Sequence, residues 1–135
     1  MTVRQREPRM LDPGYLAWLR TQPCCCGCGR PMPSDAAHLR TGVTGLGRTP
    51  HDRLALPLNH SCHMRQHDFG DEAAWFAAHG IRDPLLLADR YYARYRRENP
   101  KAPAPYIRKQ RPVKKRKPRD QRQKLRSRND LRKRP

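Results

Sequence analysis

The chain has 135 residues, of which 30 are Lys or Arg and 12 are Asp or Glu, for a formal charge of +18 with only 36% hydrophobic residues. That composition excludes one large apolar core, and no run approaches the roughly 20 apolar residues of a membrane span. The basic N-terminus leads into no apolar signal core, so a soluble, unprocessed, cytoplasmic chain is expected.

Residues 1–11 read as an N-terminal arm. Asp12 can cap a helix with Pro13 at its first position, which places Leu11, Tyr15, Trp18 and Leu19 on one face. A cysteine cluster follows at Cys24, Cys25, Cys26 and Cys28. Asp35 to Arg40 and Leu54-Ala55-Leu56-Pro57-Leu58 look extended, and a glycine-rich loop with Gly42, Gly45 and Gly47 separates them, so a β-hairpin with a long connection is expected. Asn59 caps a short helix running to about Asp68, which Gly70 closes. Asp71 opens a helix ending before Gly80, and Asp83-Pro84 opens a last one reaching about Glu98. The fold class is α+β, with a folded domain at residues 12–99. Beyond it, residues 100–135 hold all seven lysines and 16 basic against 2 acidic residues, a net charge of +14 out of +18. With few large aliphatics, this stretch is expected to be a disordered basic tail. Lys114-Lys115-Arg116-Lys117 is its densest run; it suits phosphate contact and, in a eukaryote, would also read as a nuclear localisation signal.

The chemistry lies between Cys24 and His67. An odd number of cysteines, crowded together, cannot make a spaced disulfide framework and points to a reducing compartment and metal ligation. Cys25-x2-Cys28-Gly29 is a zinc-knuckle half-site, in which two thiolates grip one ion and the glycine permits the tight turn. The remaining cysteine, Cys62, supplies the other half, and the fourth ligand is open among His60, His63, Cys24 and Cys26. His63 and His67 lie one helical turn apart, with imidazoles about 6 Å from each other and able to share a metal ion. Such pairs are more often surface or core residues than ligands. Their context is His38, which a hairpin would fold back over the same helix, where a neutral imidazole could take a proton from water in phosphodiester hydrolysis.

A cysteine knuckle, His38-Leu39-Arg40 at a strand end, a glycine-rich loop, the Leu56-Pro57-Leu58 strand and Cys62-His63-x3-His67 on a helix together resemble an HNH endonuclease of the ββα-metal type. More narrowly, Ala37-His38-Leu39-Arg40, Gly45-Leu46-Gly47-Arg48-Thr49-Pro50-His51-Asp52 and Leu56-Pro57-Leu58 with His63 and His67 are similar to the phage recombination-enhancement (Ref) nucleases and their prophage relatives. The likeness covers roughly residues 13–90. It implies a small zinc-stapled ββα-metal domain with flanking helices. It also implies His38 as the general base, and His63 and His67 as ligands of a catalytic Mg²⁺ or Mn²⁺, with Zn²⁺ as an alternative.

Three positions depart from the family pattern. Ala37 stands where a metal ligand normally precedes the base, so Asp35, His38 itself or water would have to complete the coordination. Leu54 stands where an asparagine normally orients the base, which leaves Asp52 as the nearest polar substitute. Asn59 stands where the cysteine quartet is normally completed. The expected function is hydrolysis of DNA with little sequence preference inside a bacterial cell, encoded by a phage or prophage. Arg40, Arg48, Arg53 and Arg65 would contact phosphates, and a RecA-like recombinase filament is an implied partner. The alternative is a noncatalytic zinc-stabilised nucleic-acid-binding module.

Overall fold

The computed structural model describes residues 8–40 and 50–109. Its elements in chain order are β1 (Met10–Leu11), α1 (Pro13–Arg20), β2 (Ser34–His38), a 3-10 turn (Asp52–Leu54), β3 (Ala55–Asn59), α2 (His60–Phe69), α3 (Glu72–Ala78), α4 (Pro84–Glu98) and β4 (Tyr106–Ile107). This is a small α+β arrangement of four helices and two short sheets.

The helix starts follow from local chemistry. The carboxylate of Asp12 accepts the Tyr15 N–H, Asn59 accepts that of Ser61, Asp71 that of Ala74 and Asp83 that of Leu86, so each satisfies an amide left open at a helix start. Pro13 and Pro84 occupy first-turn positions, where the missing N–H has no partner to lose.

β2 and β3 pair antiparallel, Ser34 opposite Asn59 and His38 opposite Ala55. β3 is buried from Ala55 to Leu58, because helices cover the hairpin on both sides. On one side, Ala37, Leu39, Leu56 and Leu58 pack with Cys62, Trp75, Phe76 and Ala88. On the other, Tyr15, Leu19, Ala55 and Tyr95 form a second cluster that Ala36 joins. The Tyr15 hydroxyl donates to the Ala55 carbonyl at 3.0 Å, so its polar end is satisfied inside that cluster. Alternation along β2 therefore sends Ala37 toward α2 and α3 and Ala36 toward α1.

Order extends past both expected boundaries of the 12–99 domain. Met10 pairs with Ile107 and Leu11 with Tyr106. Arg96 donates to the Pro103 carbonyl at 3.0 Å, and Ala102 packs on the Tyr15 cluster. The stretch to residue 107 thus belongs with the domain, and the N-terminal arm contributes β1. Composition hid this, because Tyr106 and Ile107 are held by strand pairing across the whole chain rather than by a local apolar pattern. Residues 110–135, with Lys114, Lys115, Arg116 and Lys117, lie outside the described residues, as do the glycines of the 41–49 loop.

A chain ending at residue 99 loses the β1–β4 pair and the Arg96 contacts, whereas one ending at residue 109 keeps both. The shorter chain is expected to be less stable by roughly 1–2 kcal/mol, which corresponds to melting about 5–10 °C lower. Thermal unfolding followed by circular dichroism of the two truncations checks this.

Candidate functional site

The cysteines assemble differently from the Cys-x2-Cys expectation. The sulfurs of Cys24, Cys26, Cys28 and Cys62 all lie within 4.8 Å of one another, and Cys25 is outside the group. Cys26 Sγ is 3.1 Å from Cys24 Sγ and 3.6 Å from Cys62 Sγ. Four thiolates around one Zn²⁺ at about 2.3 Å place their sulfurs roughly 3.8 Å apart, so the donor set and its spacing fit one structural zinc. The unit is Cys-x-Cys-Gly-Cys-Gly: Gly27 and Gly29 take φ values of 72° and 67°, the left-handed turns that carry the backbone around the sulfurs. Asn59, where a fourth cysteine was missing, caps α2 instead, and Cys24 and Cys26 complete the quartet.

Cys25 is turned away by its backbone. Its N–H donates to the Pro57 carbonyl at 2.9 Å, anchoring the loop to β3, and its side chain packs on the core. Burial pushes its thiol up to about 12, whereas the Arg30 N–H lowers that of Cys28 to about 7. Burial raises the thiols of Cys26 and Cys62 as well, so position rather than acidity separates Cys25 from the quartet.

A second group forms where β2 meets α2. His63 Nδ1 lies 3.0 Å from Asp35 Oδ2, His60 Nδ1 lies 2.8 Å from the same oxygen, and the Nε2 atoms of His63 and His67 are 3.1 Å apart. Burial raises the Asp35 pKa, but hydrogen bonds from His63 and His60 outweigh it and hold the carboxyl below its ordinary value. With Asp35 accepting from Nδ1, His63 presents the Nε2 lone pair toward His67. Asp35 therefore stands behind His63, on the Nδ1 side of its ring. Two Nε2 atoms at this separation could ligate one divalent ion and leave its other positions open.

The third group surrounds Asp52, which is 2% exposed. Its Oδ1 accepts from Arg9 Nη2 at 2.7 Å and lies 3.0 Å from His38 Nε2, and its Oδ2 accepts the Asp12 N–H at 2.9 Å. Burial pushes the Asp52 pKa up, but the Asp12 N–H, His38 and Arg9 together hold it below the ordinary carboxylate value. Asp52 thus holds the His38 ring by one nitrogen and leaves the other free of recorded protein partners among the described residues. Arg9 was not singled out from sequence; an isolated arginine in a basic arm carries no local signal.

His38 shares no polar contact with His63 or His67, and its recorded partners are Asp52 and Arg9. Asp35 and His38, three residues apart, fall on opposite faces of β2. Ala37 between them is 3% exposed and packed in the core. Of the expected phosphate contacts, Arg53 lies 3.8 Å from Asp89, the Arg40 N–H donates to Glu72, Arg65 is exposed on α2, and Arg48 is outside the described residues. Among the described residues, no helix is long and apolar enough to cross a membrane.

Residues 3–93, well over half of the chain, match the model of the family described as "Protein of unknown function (DUF968)", and the chain belongs to that family. No curated protein and no solved structure matches it.

The purified protein is expected to carry about one zinc per chain. Cys25→Ser should retain it, whereas Cys26→Ser should lose most of it and melt at lower temperature, because folding and metal binding are coupled. Metal analysis of both variants beside the wild type decides between the two cysteine sets.

Proposed function

We propose that this member of the DUF968 family is a metal-dependent endonuclease of the HNH type that hydrolyses DNA phosphodiester bonds with little sequence preference. The observation that carries the reading is the His38–Asp52 pair. A buried carboxylate 3.0 Å from one ring nitrogen fixes an imidazole that keeps 20% of its side chain exposed, at the last residue of β2. That is how a general base is oriented toward a substrate arriving from solvent. The helix histidines support it, since His63 and His67 are set to share an ion at the end of the hairpin-helix unit β2–β3–α2.

In this reading the phosphodiester is attacked beside His38, at the last residue of β2. Water attacks phosphorus, its proton passes to His38 Nδ1, the new P–O bond forms, and the bond to the 3′-oxygen breaks, with that oxygen taking a proton from solvent. Asp52 stabilises the imidazolium formed at His38, and the Arg9 guanidinium, 37% exposed in its side chain, lies beside it to receive a phosphate oxygen. A divalent ion on His63 and His67 would supply Lewis-acid stabilisation of the phosphate charge. Two imidazole donors suit Mn²⁺ or Zn²⁺ better than Mg²⁺. The zinc quartet is structural, and a RecA-like filament and a phage or prophage origin belong to the same reading.

A second reading, a noncatalytic zinc-stabilised nucleic-acid-binding module, is favoured by the buried Ala37, which offers no ligand, and by the lack of contact between His38 and the helix pair.

The two readings part in a plasmid-nicking assay with Mn²⁺. His38→Ala is expected to lower the rate by about 100-fold or more, and Asp52→Asn by about 10–100-fold, with zinc content unchanged in His38→Ala. Undiminished nicking by His38→Ala sinks the base assignment. A wild type inert with every divalent ion, with or without a recombinase filament, sinks the nuclease reading and leaves the binding module.

A further inference from the structure

α4 carries a charge pattern that neither histidine group uses. Arg90, Arg94 and Arg97 are exposed and fall on one helical face, and Arg82 is exposed just before the helix. Arg90 and Arg94 wall a surface hollow floored by Leu87 and Tyr91. Arg82 and Arg90 wall a second, floored by Leu86 and Leu87. Leu87 and Arg90 line both, so the hollows run together into one groove with an apolar floor and mainly cationic sides, Asp83 being the one acid on its wall. Leu86 on that floor is 47% exposed.

The acids nearby are already engaged. The Asp83 carboxylate caps the Leu86 N–H at 3.0 Å, Asp89 faces Arg53, and Glu98 accepts from Arg94 Nε at 2.7 Å. Two arginines are tied into the structure: Arg94 lies 5.4 Å over the Trp18 ring, and Arg96 covers Tyr92 and Tyr95 while bonding to the Pro103 carbonyl. Arg82, Arg90 and Arg97 are different, because they form no hydrogen bond or ion pair among the described residues; Arg97 only contributes to the field at Glu98. Arg90, Arg94 and Arg97 follow one another a turn apart along one face, where like charges destabilise a helix, and no hydrogen bond or ion pair among the described residues offsets Arg82 or Arg90. A polyanion would.

We propose that the α4 groove lined by Arg82, Arg90 and Arg94, with Arg97 further along the same helical face, is a docking surface for a DNA strand, its phosphates on the arginines and its sugars or bases on Leu86, Leu87 and Tyr91. The proposal rests on the nucleic-acid reading above but not on catalysis. Arg90 to Arg97 spans about 10 Å of helix at 1.5 Å per residue, which matches roughly three phosphates at 3.4 Å of axis per strand. The lysine-bearing segment begins at Lys101, just beyond α4, so in the chain the groove is continuous with the largest store of positive charge.

The test uses the full chain and the triple variant Arg82→Gln, Arg90→Gln, Arg97→Gln. Fluorescence anisotropy is measured on labelled duplex and single-stranded DNA across a salt series without added divalent ions. The triple variant is expected to bind at least one of the two DNAs about 10-fold or more weakly, with its log K against log salt slope reduced by roughly 2–3. Melting temperature and zinc content should stay at wild-type values, and the corresponding triple Arg→Lys variant should restore the slope. Unchanged affinity and slope in the glutamine variant, with a wild type that binds, overturns the groove and leaves the nuclease reading standing. A wild type that binds neither DNA overturns both. A variant whose binding to phosphatidylserine-containing vesicles falls while DNA binding does not assigns the groove to a membrane surface and overturns the DNA proposal.

Discussion

The carboxylate of Asp52 is where this small molecule is tied together. It is buried, yet both oxygens are occupied by groups from separate parts of the chain: Arg9 before β1, the amide of Asp12 at the start of α1, and His38 at the end of β2. A buried ionised group left unpaired is strongly destabilising, so these partners are held to their places by the requirement to satisfy it. The consequences spread outward. Asp12 is the cap of α1 and also accepts the Tyr92 hydroxyl at 2.9 Å, which draws α4 against α1. Arg9 brings β1 into position, and β1 in turn captures β4 from the other end of the domain. The same carboxylate orients His38, so the contact that closes the fold also prepares the group to which we assign the chemistry.

The sulfur quartet plays the corresponding part on the other side of the hairpin. Two small aromatic and aliphatic clusters are a thin core for a chain carrying so much charge, and domains of this size commonly need a staple. Cys62 at the start of α2 and three cysteines of one tight loop could supply it by holding a zinc ion, while Cys25 is diverted into a backbone bond to β3 and an apolar contact. Four thiols in one place repel their own ionisation; a dication reverses that balance and converts crowding into cohesion.

Charge is divided by role rather than spread. The arginines of α4 include some that serve packing, stacked on Trp18 or on Tyr92 and Tyr95, and some that face solvent with no hydrogen bond or ion pair among the described residues. The histidines divide similarly: His60, His63 and His67 gather with Asp35 toward α2, while His38 turns to Asp52 on the opposite face of β2. Alternation of side chains along a strand makes that separation unavoidable for residues 35 and 38.

Sequence by itself determined the helices and the hairpin, because each boundary is written in a few adjacent residues: Asp12-Pro13, Asn59, Asp71 and Asp83-Pro84 at helix starts, and β-branched-poor but apolar runs between turns for the strands. It also pointed to the cysteine cluster with Cys62 as the group that could hold a metal. Only the tertiary structure decided which cysteines converge, since spacing permits either Cys25 or its neighbours and the choice turns on one amide bonding to Pro57. Tertiary structure also placed Asp35 behind His63, brought Arg9 to Asp52, and paired Met10–Leu11 with Tyr106–Ile107. These are contacts between residues far apart in the chain, and the energies that select them, burial of a charge and closure of strand edges, leave no periodicity or local motif to read.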